Sequence, residues 1–107
     1  MSGQNRVAID GNGSIIEAMI SIEDRRSVRD LAAKYAVKRV LLFGSAVRLE
    51  SGYRDIDLAI EGIRPSDFFR FYGELMGRLS LPVDLVDLSR AGRFTDLIRQ
   101  EGIPLYG

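Results

Sequence analysis

The chain has 107 residues, of which 46% are hydrophobic and 28% charged, a balance typical of one globular domain. Fifteen basic and fifteen acidic residues cancel, so we expect no direct binding to nucleic acid or to an anionic membrane. The sequence contains neither cysteine nor histidine, which excludes disulfides, thiolate or imidazole metal sites and Ser-His-Asp catalysis. Any chemistry must therefore depend on carboxylates, hydroxyls, lysine, arginine or a bound hard metal ion.

Other patterns indicate where the protein resides and how its N-terminal part is organised. No apolar run approaches the roughly 20 residues that span a bilayer, and the N-terminus lacks a signal-peptide pattern, so we expect a cytoplasmic protein. Residues 1–13 are rich in glycine and asparagine and are predicted to form a flexible arm, followed by one domain over residues 14–107. Ser14 and Glu17 have the spacing of a capping box at a helix start.

The predicted elements then alternate between helices and strands. In chain order they are a helix over residues 23–36, a strand over 38–43, a short helix in "SAVRLE", a strand over 55–60, a helix from Pro65 to about residue 79, a strand over 83–88 and a helix in "RAGRFTDLIRQEG". The closing "IPLY" is assigned no element. This alternation predicts an α/β (α+β) domain with a small mixed sheet of three to four strands packed with helices.

Two aspartates stand in an otherwise apolar strand, "DIDLAI". Because side chains alternate along a strand, Asp55 and Asp57 should share one face, with Cα atoms roughly 6.6 Å apart. Two carboxylates at that spacing repel each other unless a divalent cation lies between them. The pair therefore indicates either a solvated strand face or a Mg²⁺ site.

A second candidate element, Gly44-Ser45, stands where the preceding strand ends and a helix is predicted to begin. Glycine allows a ligand to approach the backbone, and the first amides of a helix can bind a phosphate. Ser45 adds a hydroxyl, although serine is also an ordinary N-cap residue. Together with the acid pair, this element indicates a phosphate site beside a metal site, as nucleotide chemistry requires.

The strand "VDLVDL" offers a third carboxylate for a two-metal site. Asp84 and Asp87 are three residues apart and should face opposite sides of the sheet, so that only one of them can join the other acids. Asp84, in mid-strand, is the better candidate, whereas Asp87 is predicted to be solvated or part of a turn.

The stretch "LFGSAVRLESGYRDIDLAI" followed by "VDLVDL" resembles the signature of the polymerase-beta nucleotidyltransferase superfamily. The length and the closing "FTDLIRQEGIPLYG" are similar to the minimal nucleotidyltransferases, which often pair with HEPN-domain proteins. The resemblance covers roughly residues 25–107 and departs from the family pattern at Leu49 and Arg54.

This resemblance implies an enzyme in which an NTP lies across Gly44-Ser45 and two Mg²⁺ ions are held by Asp55, Asp57 and Asp84. It implies transfer of NMP, with ATP as the expected donor, to a hydroxyl, with release of pyrophosphate. The expected acceptor is a tyrosine of a HEPN toxin, which would make the chain an antitoxin.

Three residues near the signature have two interpretations each. Arg48 and Arg54 could pair with the triphosphate or could be surface arginines that balance nearby acids. Tyr53 could stack on a base or pack on its own strand.

The helix "DFFRFYGELMGRL" is apolar on more than one face. A stripe of Phe68, Tyr72, Leu75 and Leu79 is predicted to face the core. The neighbouring Phe69 and Met76, with Gly73 and Gly77, indicate either further core packing or a surface for a partner, such as a HEPN protein or a second copy.

Two alternatives to the enzyme stay open: a binding module that neutralises its partner without turnover, and a nucleotide-sensing domain.

Overall fold

The structure is a computed structural model that describes residues 19–47 and 55–107. Within these ranges the helices are α1 (Ile22–Lys34), α2 (Phe68–Arg78) and α3 (Arg93–Glu101), and the strands are β1 (Arg39–Phe43), β2 (Ile56–Glu61), β3 (Val83–Asp87) and β4 (Ile103–Tyr106). Gly44–Ala46 and Pro65–Asp67 form single 3₁₀ turns. The predicted N-terminal arm and capping box lie outside the described residues, as do residues 48–54.

The four strands form one mixed sheet in the order β3-β2-β1-β4. β1 pairs antiparallel with both β2 and β4, whereas β2 and β3 are parallel. The predicted fold class is thereby confirmed. The edge strand β4 was missed by the sequence analysis because its segment is short and contains Pro104, which a sheet accepts at an edge.

One face of the sheet carries the main core, covered by α1 and α2. Phe71 of α2 is fully buried, and its ring meets the ring of Tyr35 edge to face, with centroids 5.6 Å apart. The predicted stripe on α2 is confirmed for Leu75 and Leu79, which are buried. The periodicity missed Phe71 because two aromatic pairs, Phe68-Phe69 and Phe71-Tyr72, stand on either side of Arg70 and leave the rotation of the helix ambiguous.

The start of α1 is fixed by a side-chain cap and a buried acid. Ser21 Oγ accepts a hydrogen bond from the Asp24 amide at 3.1 Å, which is the N-cap arrangement. The Asp24 side chain is only 4% exposed, and its carboxylate accepts bonds from the amide and hydroxyl of Ser80. Buried carboxylates require such partners, so this contact ties α1 to the segment between α2 and β3.

The opposite face of the sheet is covered by α3. Ile98 packs there with Leu41, Ala59 and Leu88 in a second, smaller cluster. Arg99 holds the helix in place, because its guanidinium donates to the Leu88 carbonyl at 2.6 Å and lies 3.3 Å from a carboxylate oxygen of Glu61.

The outer face of α2 is not covered by any other described segment. Phe69 is 81% exposed and Met76 57% exposed, and no atom of residues 19–47 or 55–107 lies within 4 Å of a β-carbon built on Gly73 or Gly77. The interpretation that these residues pack in the chain's own core is therefore wrong. None of the helices in the described ranges combines the length and apolar character needed to cross a bilayer.

Candidate active site

The end of β1 and the start of β2 meet at Gly44. This residue has a φ of +78°, in the left-handed region that favours glycine. A β-carbon at position 44 would lie 2.1 Å from Asp57 Oδ2 and 3.0 Å from the Asp57 carboxyl carbon. Only glycine therefore allows the backbone of this turn to lie against the carboxylate of Asp57.

Asp57 and Asp84 are brought together by the sheet. They are register partners on the parallel strands β2 and β3. Neighbouring strands are about 4.8 Å apart, and paired residues present their side chains on the same face. Asp57 is partly buried and Asp84 is exposed. Their strand positions place two carboxylates side by side next to the turn at Gly44.

Asp55 stands just before β2 and is exposed. Alternation along the extended chain assigns it to the same face as Asp57, two residues away. In the part of the chain that the structure describes, no three acidic side chains converge tightly enough to form a metal cluster. The acids are thus arranged as a register pair, Asp57 and Asp84, with Asp55 at the entrance of the strand.

The two aspartates of β3 point to opposite sides. Asp87 pairs in register with Ile60, whose side chain lies in the main core on the other face of the sheet. Its Oδ1 accepts a hydrogen bond from the Ser89 amide at 2.9 Å, as in an Asx turn. The prediction that Asp87 is a turn residue is confirmed, and its place in β3 separates it from Asp57 and Asp84.

Of the short helix predicted in "SAVRLE", residues 45–47 are described and form no α-helix, and residues 48–50 lie outside the described ranges. Gly44–Ala46 is one 3₁₀ turn, preceded by Phe43 without a side-chain cap. So short a turn has little helix dipole, so any contribution to phosphate binding would come from backbone amides near Gly44. Ser45 lies within this turn rather than at an N-cap. Arg48, Tyr53 and Arg54 lie outside the described residues.

An apolar cavity of about 190 Å³ adjoins the turn and was not predicted from the sequence. It lies between the end of β1 and α3, and its lining consists of Phe43, Gly44, Val47, Phe94, Leu97, Ile98 and Glu101. Of the three apolar residues that α3 contributes to this lining, only Ile98 is buried. Phe94 is 57% exposed and Leu97 48% exposed, so part of this apolar surface faces the cavity.

Comparison with known proteins identifies a family and similar folds. The family model "Polymerase beta, Nucleotidyltransferase" matches residues 26–107. A solved structure assigned as a minimal nucleotidyltransferase is 34% identical, with a TM-score of 0.61, and the match covers 75% of this chain and 87% of that chain. No curated protein sequence gives a significant match.

Two further solved structures are similar in fold. One is a toxin-antitoxin with AMP-PNP, 23% identical with a TM-score of 0.64, where the match covers 78% of this chain and 73% of that one. The other is the toxin-antitoxin MntA-HepT, 22% identical with a TM-score of 0.60, where it covers 78% and 70%. At these identities the likeness shows a shared fold.

Proposed function

We propose, given that the chain belongs to the polymerase beta nucleotidyltransferase family, that it transfers a nucleoside monophosphate from an NTP to an acceptor hydroxyl. The observation that carries this proposal is the register pair Asp57–Asp84 with Gly44 against the Asp57 carboxylate. Like charges on adjacent strands are unfavourable for a sheet that serves only as a scaffold, and here they stand next to a turn that requires glycine. ATP is the proposed donor.

The register pair Asp57–Asp84 offers two carboxylates for a Mg²⁺ site, and Asp55 would join it by moving towards the pair. Carboxylate oxygens are the hard ligands that this ion prefers, and Gly44 leaves open the space that a β-carbon would fill beside Asp57. We assign Asp55, Asp57 and Asp84 as the residues that would hold two ions. When bound, the ions would neutralise phosphate charge and lower the pKa of the acceptor hydroxyl.

The chain's own residues would position the NTP for substitution at the α-phosphorus. The turn at Gly44 lets backbone amides approach the triphosphate, with the Ser45 hydroxyl and Arg48 as further proposed contacts. The acceptor oxygen forms a bond to the α-phosphorus as it loses its proton to solvent. The bond from this phosphorus to the oxygen that bridges to the β-phosphate breaks, and pyrophosphate leaves with the electron pair.

The proposed acceptor is a tyrosine hydroxyl on a HEPN toxin, which would make this chain an antitoxin. The support is the likeness in fold to the MntA-HepT complex and to the toxin-antitoxin with AMP-PNP. The exposed outer face of α2 favours the same partner. Phe69 and Met76 present apolar surface there, and Gly73 and Gly77 would let a partner helix approach closely.

The test uses ATP labelled at the α-phosphate, Mg²⁺, the chain and the proposed HEPN partner. Wild-type protein should transfer label to the partner, and replacing the partner's acceptor tyrosine by phenylalanine should abolish it. Asp84→Asn should lower the rate at least 100-fold. Asp87→Asn is the matched control, because it alters the same strand on the other face and asparagine can still accept the Ser89 bond. Equal loss in both variants would overturn the proposed site.

The exposed face of α2 also favours a second candidate function, a module that neutralises the partner by assembly alone. In that case Phe69→Asp should abolish both complex formation and neutralisation, whereas Asp84→Asn should preserve both. Size-exclusion chromatography of the mixed proteins and a toxin assay distinguish the two functions. A self-associating chain would elute as a dimer without the partner.

A further inference from the structure

The cavity beside Gly44 has walls suited to a flat aromatic ligand. The rings of Phe43 and Phe94 stand 5.9 Å apart between centroids at an angle of 80°. One ring can therefore offer its face to a planar group while the other meets that group's edge. Leu97 and Val47 complete the apolar lining. Such a lining gives no contact to phosphate or metal, so it is a different kind of surface from the acid pair.

The cavity is continuous with the candidate active site. Gly44 belongs to both, because it lines the cavity and its α-carbon lies against the Asp57 carboxylate. Phe43 is the register partner of Asp57, which places the ring-bearing end of β1 and the acid on the same face of the sheet. A nucleotide with its phosphates at Gly44 and Asp57 would have its base within reach of this cavity.

The volume of the cavity also narrows the choice of ligand. At about 190 Å³ it is smaller than the roughly 300–1,000 Å³ of pockets that enclose a whole drug-sized molecule. The space inside it suits a single ring system, and the rest of a nucleotide would lie outside the cavity. Phe94 and Leu97 remain about half exposed although they are large apolar side chains, as expected of a surface that a ligand covers.

We infer that this cavity, lined by Phe43, Phe94 and Leu97, binds the nucleobase of the NTP. The inference rests on the proposed function, because the triphosphate at Gly44 and Asp57 is what directs the base towards α3. Phe94 is the main stacking residue, since its ring is the more exposed of the two. Ile98 fixes α3 to the sheet and thereby holds Phe94 and Leu97 in position.

Glu101 gives the cavity a preference among bases. It is the one charged side chain among the cavity's described lining residues, and it lies one helical turn or two from Leu97 and Phe94 on the same face of α3. A carboxylate accepts hydrogen bonds and cannot donate one, so it favours a base that presents an exocyclic amino group. Its place in the last turn is unfavourable to the helix dipole, so helix stability gives no reason for an acid there.

The experiment measures binding of three Mg²⁺-loaded probes to the isolated chain by calorimetry: inorganic tripolyphosphate, ATP and purine riboside triphosphate, which lacks the amino group. Wild-type protein should bind ATP more tightly than tripolyphosphate. Phe94→Ala should weaken ATP binding roughly tenfold or more and leave tripolyphosphate binding unchanged. Ile22→Ala, a truncation of a similarly exposed apolar residue on α1, is the control and should change neither affinity.

The third probe tests Glu101. Wild-type protein should prefer ATP to purine riboside triphosphate, and Glu101→Leu should remove that preference. If wild-type protein binds tripolyphosphate and ATP equally, or if Phe94→Ala binds ATP as tightly as wild-type protein does, the nucleobase site is overturned while the proposed function stands. If neither tripolyphosphate nor ATP binds, the proposed function fails and the inference fails with it.

Discussion

The carboxylate of Asp57 lies directly against the α-carbon of Gly44, with no room for a β-carbon between them. This contact joins two segments that are thirteen positions apart in the sequence into one surface. It also makes glycine necessary for two separate reasons, the positive φ of the backbone and the position of the acid. The phosphate-binding and metal-binding parts of the proposed site therefore depend on each other.

The first prediction concerns this contact. Gly44→Ala should destabilise the chain by about 1–3 kcal/mol, because alanine is strained at this φ. It should also displace the Asp57 carboxylate and lower the rate of nucleotidyl transfer about 100-fold, as a misplacement near 1 Å can do. Urea unfolding and the labelled-ATP assay measure the two effects. Transfer at the wild-type rate would show that Asp57 need not lie against residue 44.

The second prediction is that alanine at a different glycine raises the free energy of unfolding instead of lowering it. Gly73 lies within α2, and no described residue has an atom within 4 Å of a β-carbon built there. Gly73→Ala should therefore stabilise the isolated chain by about 0.5–1 kcal/mol, because alanine is the better helix former. It should weaken binding of the proposed partner, whose helix would meet the added methyl group. Urea unfolding and titration with the partner give both values, and a gain in both would argue against close approach at Gly73.

The third prediction concerns the register pair. Without metal, Asp84→Asn should stabilise the chain by about 0.2–1 kcal/mol, because it removes one of two like charges on adjacent strands. With saturating Mg·ATP the wild-type protein should be more stable than Asp84→Asn. Wild-type protein should gain about 2.7 kcal/mol when the ligand is at 100 times its Kd, and the variant should gain less. Thermal unfolding with and without Mg·ATP measures this, and Asp87→Asn should respond to the ligand as the wild type does.

The fourth prediction is a pH dependence at Tyr35. A hydrogen bond from its hydroxyl to Glu74, with desolvation, raises the pKa of Tyr35 from 10.0 to about 12. The unfolded chain then loses this proton before the folded chain does, so stability should be full below pH 10 and should fall between pH 10 and about 12. Tyr35→Phe keeps the ring contact with Phe71 and should lack this part of the decline. If the stability of the two proteins falls in parallel between pH 10 and about 12, the prediction is contradicted.

The contacts of Glu74 with Lys34 and Tyr35 also predict a change of stability at acidic pH. A hydrogen bond from Lys34, and after it one from Tyr35, holds the pKa of Glu74 below its ordinary value. A lowered pKa gives stability that is present above the unfolded value of 4.5 and is lost as the pH falls through the folded value. Glu74→Gln should therefore lose less stability than wild-type protein on acidification below pH 4.5, as measured by thermal unfolding.

Much of the fold could be predicted from local patterns. The strand centred on Leu41, the acid-bearing strand and the strand from Val83 were all recognised, with ends that differ by one residue, because apolar runs bounded by glycine and proline are local signals. Alternation predicted that Asp84 and Asp87 face opposite sides, and the mid-strand position of Asp84 made it the preferred candidate. β4 was missed, since its assignment depends on pairing with β1 and not on its own composition.

The sequence by itself determined three of the four strands, the three described α-helices and which acids share a face of the sheet, because alternation and helical periodicity are properties of adjacent residues. Only the tertiary structure decided that Asp57 and Asp84 are register partners, that Gly44 lies against Asp57, and that α3 brings Phe94 beside the same turn. Strand order, register and helix docking depend on which distant apolar faces bury each other, and no local pattern specifies that choice.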